Sequence, residues 1–199
     1  MKEIIGVIAI FLSLAGLLPY IRDILNKKTK PHLYTWLVWT PLTFLAFFAQ
    51  VKGGGGPGSW VTGITAVICL VILFLSIKNG TKDITKSDTY CLIGALIAIV
   101  LWVFVKDPVA SIILVTVIDV AGFYPTWRKT VNRPTEETLS TYIMSFLKHG
   151  ISIVALSRIS VLTTLYPAAV AAANGIMVLT ILLGRKQLRK SKVHEVSIP

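Results

Sequence analysis

The chain has 199 residues, 54% of them hydrophobic and 15% charged, with a formal net charge of +11 and a mean hydropathy of +0.75. This balance argues against a soluble core and for an integral membrane protein. It also argues against a nucleic-acid partner, because the basic residues sit in short segments between apolar runs, as topology signals do.

Seven apolar runs follow in order, roughly 4–21, 33–51, 60–77, 89–105, 109–127, 139–157 and 160–184. Each is long enough, as a helix rising 1.5 Å per residue, to cross a hydrocarbon layer of about 30 Å. Helix is the expected form, since a backbone facing lipid must satisfy its own hydrogen bonds. The first run has almost no basic segment before it and no small-residue cleavage site, so it reads as a retained helix rather than a signal peptide. It ends in Gly16 and Pro19. The second carries Trp36, Trp39 and Thr43, and a Gly53–Gly58 connector leads to the third, with Thr62 before Gly63. That connector lacks the Lys-Ser/Thr of a phosphate-binding loop. The fourth run is almost wholly apolar from Cys91 to Val105. The fifth carries Asp119, Gly122 and Pro125, the sixth Tyr142, Ser145, Lys148 and His149, and the seventh Pro167 and Asn174 before a basic tail. Cys69 and Cys91 both lie in apolar runs, which speaks against a disulfide framework.

One stretch occurs twice. At a constant offset of 106 residues, Gly16 falls on Gly122, Pro19 on Pro125, Arg22 on Arg128, Asn26 on Asn132, Leu33 on Leu139 and Trp36 on Tyr142. The chain is therefore a duplicated unit. Fifteen of the twenty basic residues follow runs 1, 3, 5 and 7, and four lie at the other ends. The positive-inside rule then places the N-terminus outside and the C-terminus in the cytoplasm of a multi-pass cell-membrane (inner or plasma membrane) protein. The expected fold is all-α: seven transmembrane helices, with a three-helix bundle at 1–78, a linker helix at 79–108, a second bundle at 109–184 and a basic cytoplasmic tail at 185–199. The odd linker lets both bundles insert with the same orientation, as parallel repeats do.

The paired prolines, the basic loops with Asn and Thr, and the three-one-three plan resemble the PQ-loop superfamily, which includes SWEET sugar transporters and cystinosin-like exporters. The Gln that normally follows Pro is here Tyr20 in one copy and Thr126 in the other, so substrate class does not carry over. The chain also resembles a group of bacterial membrane proteins, a resemblance that implies no activity. The family resemblance implies hinges at Pro19 and Pro125, a proton-coupling role for Asp119 and a substrate contact for Asn174, with Thr62 as the shorter counterpart in the first bundle. Read from position alone, the prolines end helices before loops, and Asn174 makes an interhelical hydrogen bond.

Asp119, Lys148 and His149 fall mid-run. A central Asp or Lys costs about 2.5–3.5 kcal/mol on insertion scales, so such groups face a cavity or each other. A fixed Asp119–Lys148 pair is the bland alternative. Tyr142, Ser145, His149 and Ser152 share one helical face, and their repeat partners are Trp36, Trp39, Thr43 and Ala46. Polar groups on one side and rings on the other would build an amphipathic cavity suited to sugars, amino acids or ring-bearing metabolites, unless Trp36 and Trp39 are interfacial belt residues. His32 and His194 lie in basic segments without metal-ligand spacing. There is no Ser-His-Asp order, Cys pair or His-Glu-x-x-His helix, so neither an enzyme nor a metal or other cofactor is expected. The expectation is a small-solute transporter working by alternating access and sensitive to protons, its cavity lined by Trp39, Thr43, Thr62, Asp119, Ser145, Lys148, His149 and Asn174. The alternative is a receptor or assembly protein of the same architecture. Expected partners are a small-molecule solute and membrane lipid, with a homo-oligomer admitted.

Overall fold

The computed structural model describes residues 1–196. Among them the chain is all-helical, with α1 (Lys2–Leu25), α2 (Leu33–Lys52), α3 (Pro57–Asn79), α4 (Lys86–Trp102), α5 (Pro108–Asn132), α6 (Leu139–Ala155) and α7 (Val161–Val196), plus a 3-10 turn at Pro134–Glu136. The repeat is visible in where the helices begin. Lys2 and Pro108 open α1 and α5, and Leu33 and Leu139 open α2 and α6, each pair 106 residues apart.

Helices α1, α3, α5 and the Val161–Lys190 part of α7 are long and apolar enough to cross a membrane. The expectation of seven transmembrane helices is met only in part. Helices α4 and α6 have 17 residues each, about 25 Å at 1.5 Å per residue, because the ends of runs 4 and 6 go into the connections. Helix α2 has the length, 20 residues, but carries Thr, Trp, Gln and Pro along it. The surface suits an apolar surround: Phe11 is 67% exposed, Phe74 64% and Val117 61%, whereas Thr35, Gln50, Thr62 and Ser152 are fully buried. Apolar groups outside and polar groups inside reverse the soluble pattern.

Helix α3 packs on α1 and α2, and α7 packs on α5 and α6. Across the two triples α1 packs on α6 and α2 on α5, while α4 lies against α5 and α2. Exchanging α1 with α5, α2 with α6 and α3 with α7 returns the same pairings within and between the triples. The repeated glycines explain why. A Cβ on Gly16 would lie 2.5 Å from Met144 Cβ, and one on Gly122 would lie 3.2 Å from Val38 Cγ1 and 3.1 Å from Trp39 Nε1. Val38 and Met144 are themselves 106 residues apart. Each glycine thus lets its helix approach the facing helix of the other triple.

The prolines lie within helices rather than at their ends, since α1 runs past Pro19 to Leu25 and α5 runs past Pro125 to Asn132. Pro167 is likewise inside α7, and Pro41, which the sequence pattern did not single out, is inside α2.

Candidate functional site

A cavity of about 60 Å³ lies between the two triples. This is room for a few water molecules or the polar groups of a small solute. Five side chains of the second triple that the sequence placed on the cavity line it: Asp119, Ser145, Lys148, His149 and, on α7, Asn174. Trp39 and Thr43 of α2 line it too. Thr62 does not. It is fully buried with its hydroxyl unpartnered, and Thr65, three residues further along α3, takes the place on the cavity wall. Three residues advance a helix by about 300°, so the two side chains stand about 60° apart around α3, and the Thr-Gly signal did not resolve that rotation. Ser152 and Ala46 are fully buried outside the lining, so the polar face of α6 contributes its Tyr142-to-His149 half.

Trp36 and Trp39 are buried, at 6% and 8% exposure, which rules out the belt reading. Their rings meet edge to face with centroids 5.1 Å apart, and Trp39 packs on Phe123 at 4.3 Å. Trp39 Nε1 donates to the Asp119 carbonyl oxygen at 2.9 Å, which fixes the indole of α2 against α5. Tyr20, Tyr142 and Phe123 extend this aromatic wall. Tyr142 belongs to the polar face read in run 6, whereas Tyr20 and Phe123 were missed, as were Ser13, Thr65 and Tyr166 of the same lining.

Asp119 and Lys148 are both 3% exposed, and the fixed pair between them is not formed. Lys148 Nζ donates to Ser13 Oγ at 3.0 Å and Thr65 Oγ1 at 2.8 Å. Asp119 Oδ1 accepts from the Tyr166 hydroxyl at 3.2 Å, and that hydroxyl is also 3.2 Å from Thr43 Oγ1. His149, 1% exposed, has no hydrogen-bond partner on either ring nitrogen. Asn174 Nδ2 donates to the Val170 carbonyl of its own helix at 2.8 Å, so this contact is intrahelical, not the interhelical bond expected of a structural Asn.

Polar layers lie beyond the cavity at both ends. At the basic end Tyr142 donates to Glu137 Oε2 at 2.8 Å, and Glu137 is paired with Lys129, both fully buried. Lys129 Nζ also donates to the Lys30 carbonyl at 2.5 Å, Lys30 pairs with Glu136 at 3.0 Å, and the Thr29 and Thr138 hydroxyls meet at 2.5 Å. Lys30 and Glu136 are repeat partners, so the two equivalent loops close against each other. At the other end Gln50 Nε2 donates to the Thr163 carbonyl at 3.1 Å. Beside the basic layer, Arg128 holds Asp88 at 2.8 Å and reaches Asp83 at 3.6 Å. Burial pushes the Asp88 carboxyl up, but the hydrogen bonds from Arg128 and Thr85 outweigh it and hold the group below its ordinary value. Burial lowers His32 from its ordinary value of 6.5 despite Asp88 at 3.3 Å. The neutral ring donates from Nε2 to the carboxylate and leaves Nδ1 unpartnered. The side chain of His194 lies outside the described residues.

Comparison with family models, with curated proteins and with solved structures finds no match for the chain.

Proposed function

We propose that the protein is a membrane transporter of a small polar solute, such as a sugar, an amino acid or a vitamin-like metabolite, working by alternating access on a three-one-three plan of the PQ-loop kind. The observation that carries this reading is a cavity between two repeat-related helix triples, holding a buried ammonium, a buried carboxylate and an imidazole with no protein partner. Buried polar groups are paired in most proteins. Here a polar occupant would complete them. A purely structural core would instead gain from apolar side chains at the same places.

In this reading the two triples rock about the segments at Pro19 and Pro125, each of which removes one helical hydrogen bond. Rocking towards the basic end has to part the Lys30–Glu136, Thr29–Thr138 and Lys129–Lys30 contacts, which join the two loops. Rocking towards the other end has to part Gln50 from Thr163. Asp119 is the proton-sensitive group of the cycle, Asn174 a substrate ligand, and the basic end is cytoplasmic with the N-terminus outside.

The test is flux. Proteoliposomes holding the full chain are loaded with a panel of labelled sugars, amino acids, organic acids and vitamins, and efflux is followed with and without a pH gradient. Faster efflux of one class, abolished by Lys148→Met and reduced by Asn174→Ala, supports the reading. Efflux of every class at the rate of empty liposomes rejects it.

A further inference from the structure

The way the two buried charges are separated points to the kind of solute. Each sits at one of the two seams that the repeat makes equivalent. Lys148 of α6 faces α1 and α3 through Ser13 and Thr65. Asp119 of α5 faces α7 and α2 through Tyr166, which also reaches Thr43. Exchange of the repeat carries the first seam onto the second, and Asp119 is the repeat partner of Ser13, the hydroxyl that Lys148 holds. The duplication has therefore diverged so that one seam carries a cation and its counterpart an anion, on the walls of one cavity.

Neither charge is satisfied. An ammonium has three N–H donors, and Lys148 uses two of them on neutral hydroxyls. A carboxylate has about four acceptor sites, and Asp119 receives one hydrogen bond. No ion pair joins either group among the described residues. His149, next to Lys148 and lining the same cavity, is unpartnered on both ring nitrogens. A neutral sugar would leave both charges without a counter-ion, and a simple anion or cation would leave one. A solute bearing both signs meets both, and its apolar body has the Trp36, Trp39 and Phe123 wall to lie on.

We infer that the cavity takes a zwitterion of the amino-acid type, its carboxylate on Lys148 and His149 and its ammonium on Asp119 beside Thr43. This rests on the solute-site reading above and narrows it to one chemical class.

The experiment uses the purified full chain in lipid nanodiscs. Binding is followed by the fluorescence of the tryptophans, two of which line the cavity. The twenty common amino acids, β-alanine, γ-aminobutyrate and glycine betaine are titrated. For the tightest amino acid, its amide, which lacks the negative charge, and its N-acetyl form, which lacks the positive one, follow. Leaving one buried charge unpaired weakens binding by about thirtyfold or more, so both clipped forms should lose at least that factor. Asp119→Asn should bring the N-acetyl form level with the parent, and Lys148→Met should do the same for the amide, a crossed pattern that a structural role for either residue does not produce. If either variant fails to fold, the clipped series on the natural chain carries the test. Absence of binding by every zwitterion, or clipped forms binding as well as the parent, overturns the inference. A sugar or organic acid that is carried across proteoliposomes while no zwitterion binds would overturn it and leave the transporter reading standing. A zwitterion that binds but is never carried would uphold this inference and sink that reading.

Discussion

The repeat-related glycines should respond unequally to the same substitution. In Gly16→Ala the new methyl would stand 2.5 Å from Met144 Cβ, where ordinary contact begins at 3.4 Å. The obstacle is the root of the Met144 side chain, which no rotamer moves, so α1 and α6 must separate by about 1 Å. Overpacking of this kind costs about 1–3 kcal/mol, against about 0.5–1 kcal/mol regained by replacing Gly in a helix. The net loss should be about 1–2 kcal/mol. At about 2–4 °C per kcal/mol for a chain of this length, the unfolding midpoint should fall measurably. Gly122→Ala meets Trp39 Nε1 at 3.1 Å and Val38 Cγ1 at 3.2 Å. These are side-chain atoms that need yield only a few tenths of an ångström, so the penalty and the helix gain nearly cancel and the midpoint stays close to the natural chain. The assay is thermal unfolding of the purified protein in detergent, read by tryptophan fluorescence. Met144→Ala should not rescue Gly16→Ala, because it keeps the Cβ, whereas Met144→Gly should reduce the clash. A Gly16→Ala protein as stable as the natural chain, or rescue by Met144→Ala, would refute the close-contact argument.

Further tests concern the basic end. Lys129→Met leaves Glu137 buried beside Tyr142 without its cation and should cost about 3–5 kcal/mol. Adding Glu137→Gln should return most of that, measured by the same unfolding assay. His32 is held neutral by burial, so the unfolded state binds more protons than the folded one as pH falls below 6.5, and stability should drop with falling pH in that window. His32→Gln should flatten this part of the stability–pH curve, and an unchanged curve would assign the acid loss to other groups. Single cysteines at Lys52 and Lys190 in a background without Cys69 and Cys91 should label from opposite faces of intact cells with an impermeant thiol reagent, Lys52 from outside. Labelling of both from one face would break the proposed topology.

Much of this protein could be read in its sequence. The 106-residue repeat marked the places where α2 and α6 begin in register, because the loop residues Asn26 and Asn132 and the opening Leu33 and Leu139 recur at that offset. Hydropathy marked the apolar runs, because burying backbone in lipid needs long apolar stretches. Asp119, Lys148, His149 and Asn174 were legible as cavity groups because a charged or amide side chain in the middle of an apolar run has few places to go. Tertiary structure decided the rest. Whether Asp119 meets Lys148 depends on which seam each helix presents, and the packing gives them Tyr166 and Ser13 with Thr65 instead. Thr62 and Thr65 differ by less than one helical turn, and only the rotation of α3 against its neighbours selects Thr65 for the wall. The glycines read only as partners in the repeat, and their contacts across the seam with Met144 and Val38 can be seen only once helices far apart in sequence lie side by side. The burial of Lys129, in the last turn of α5, on Glu137 has the same cause, although the segment reads as a basic topology signal: a one-dimensional pattern records which residues are charged, and the fold determines which charges lose their water.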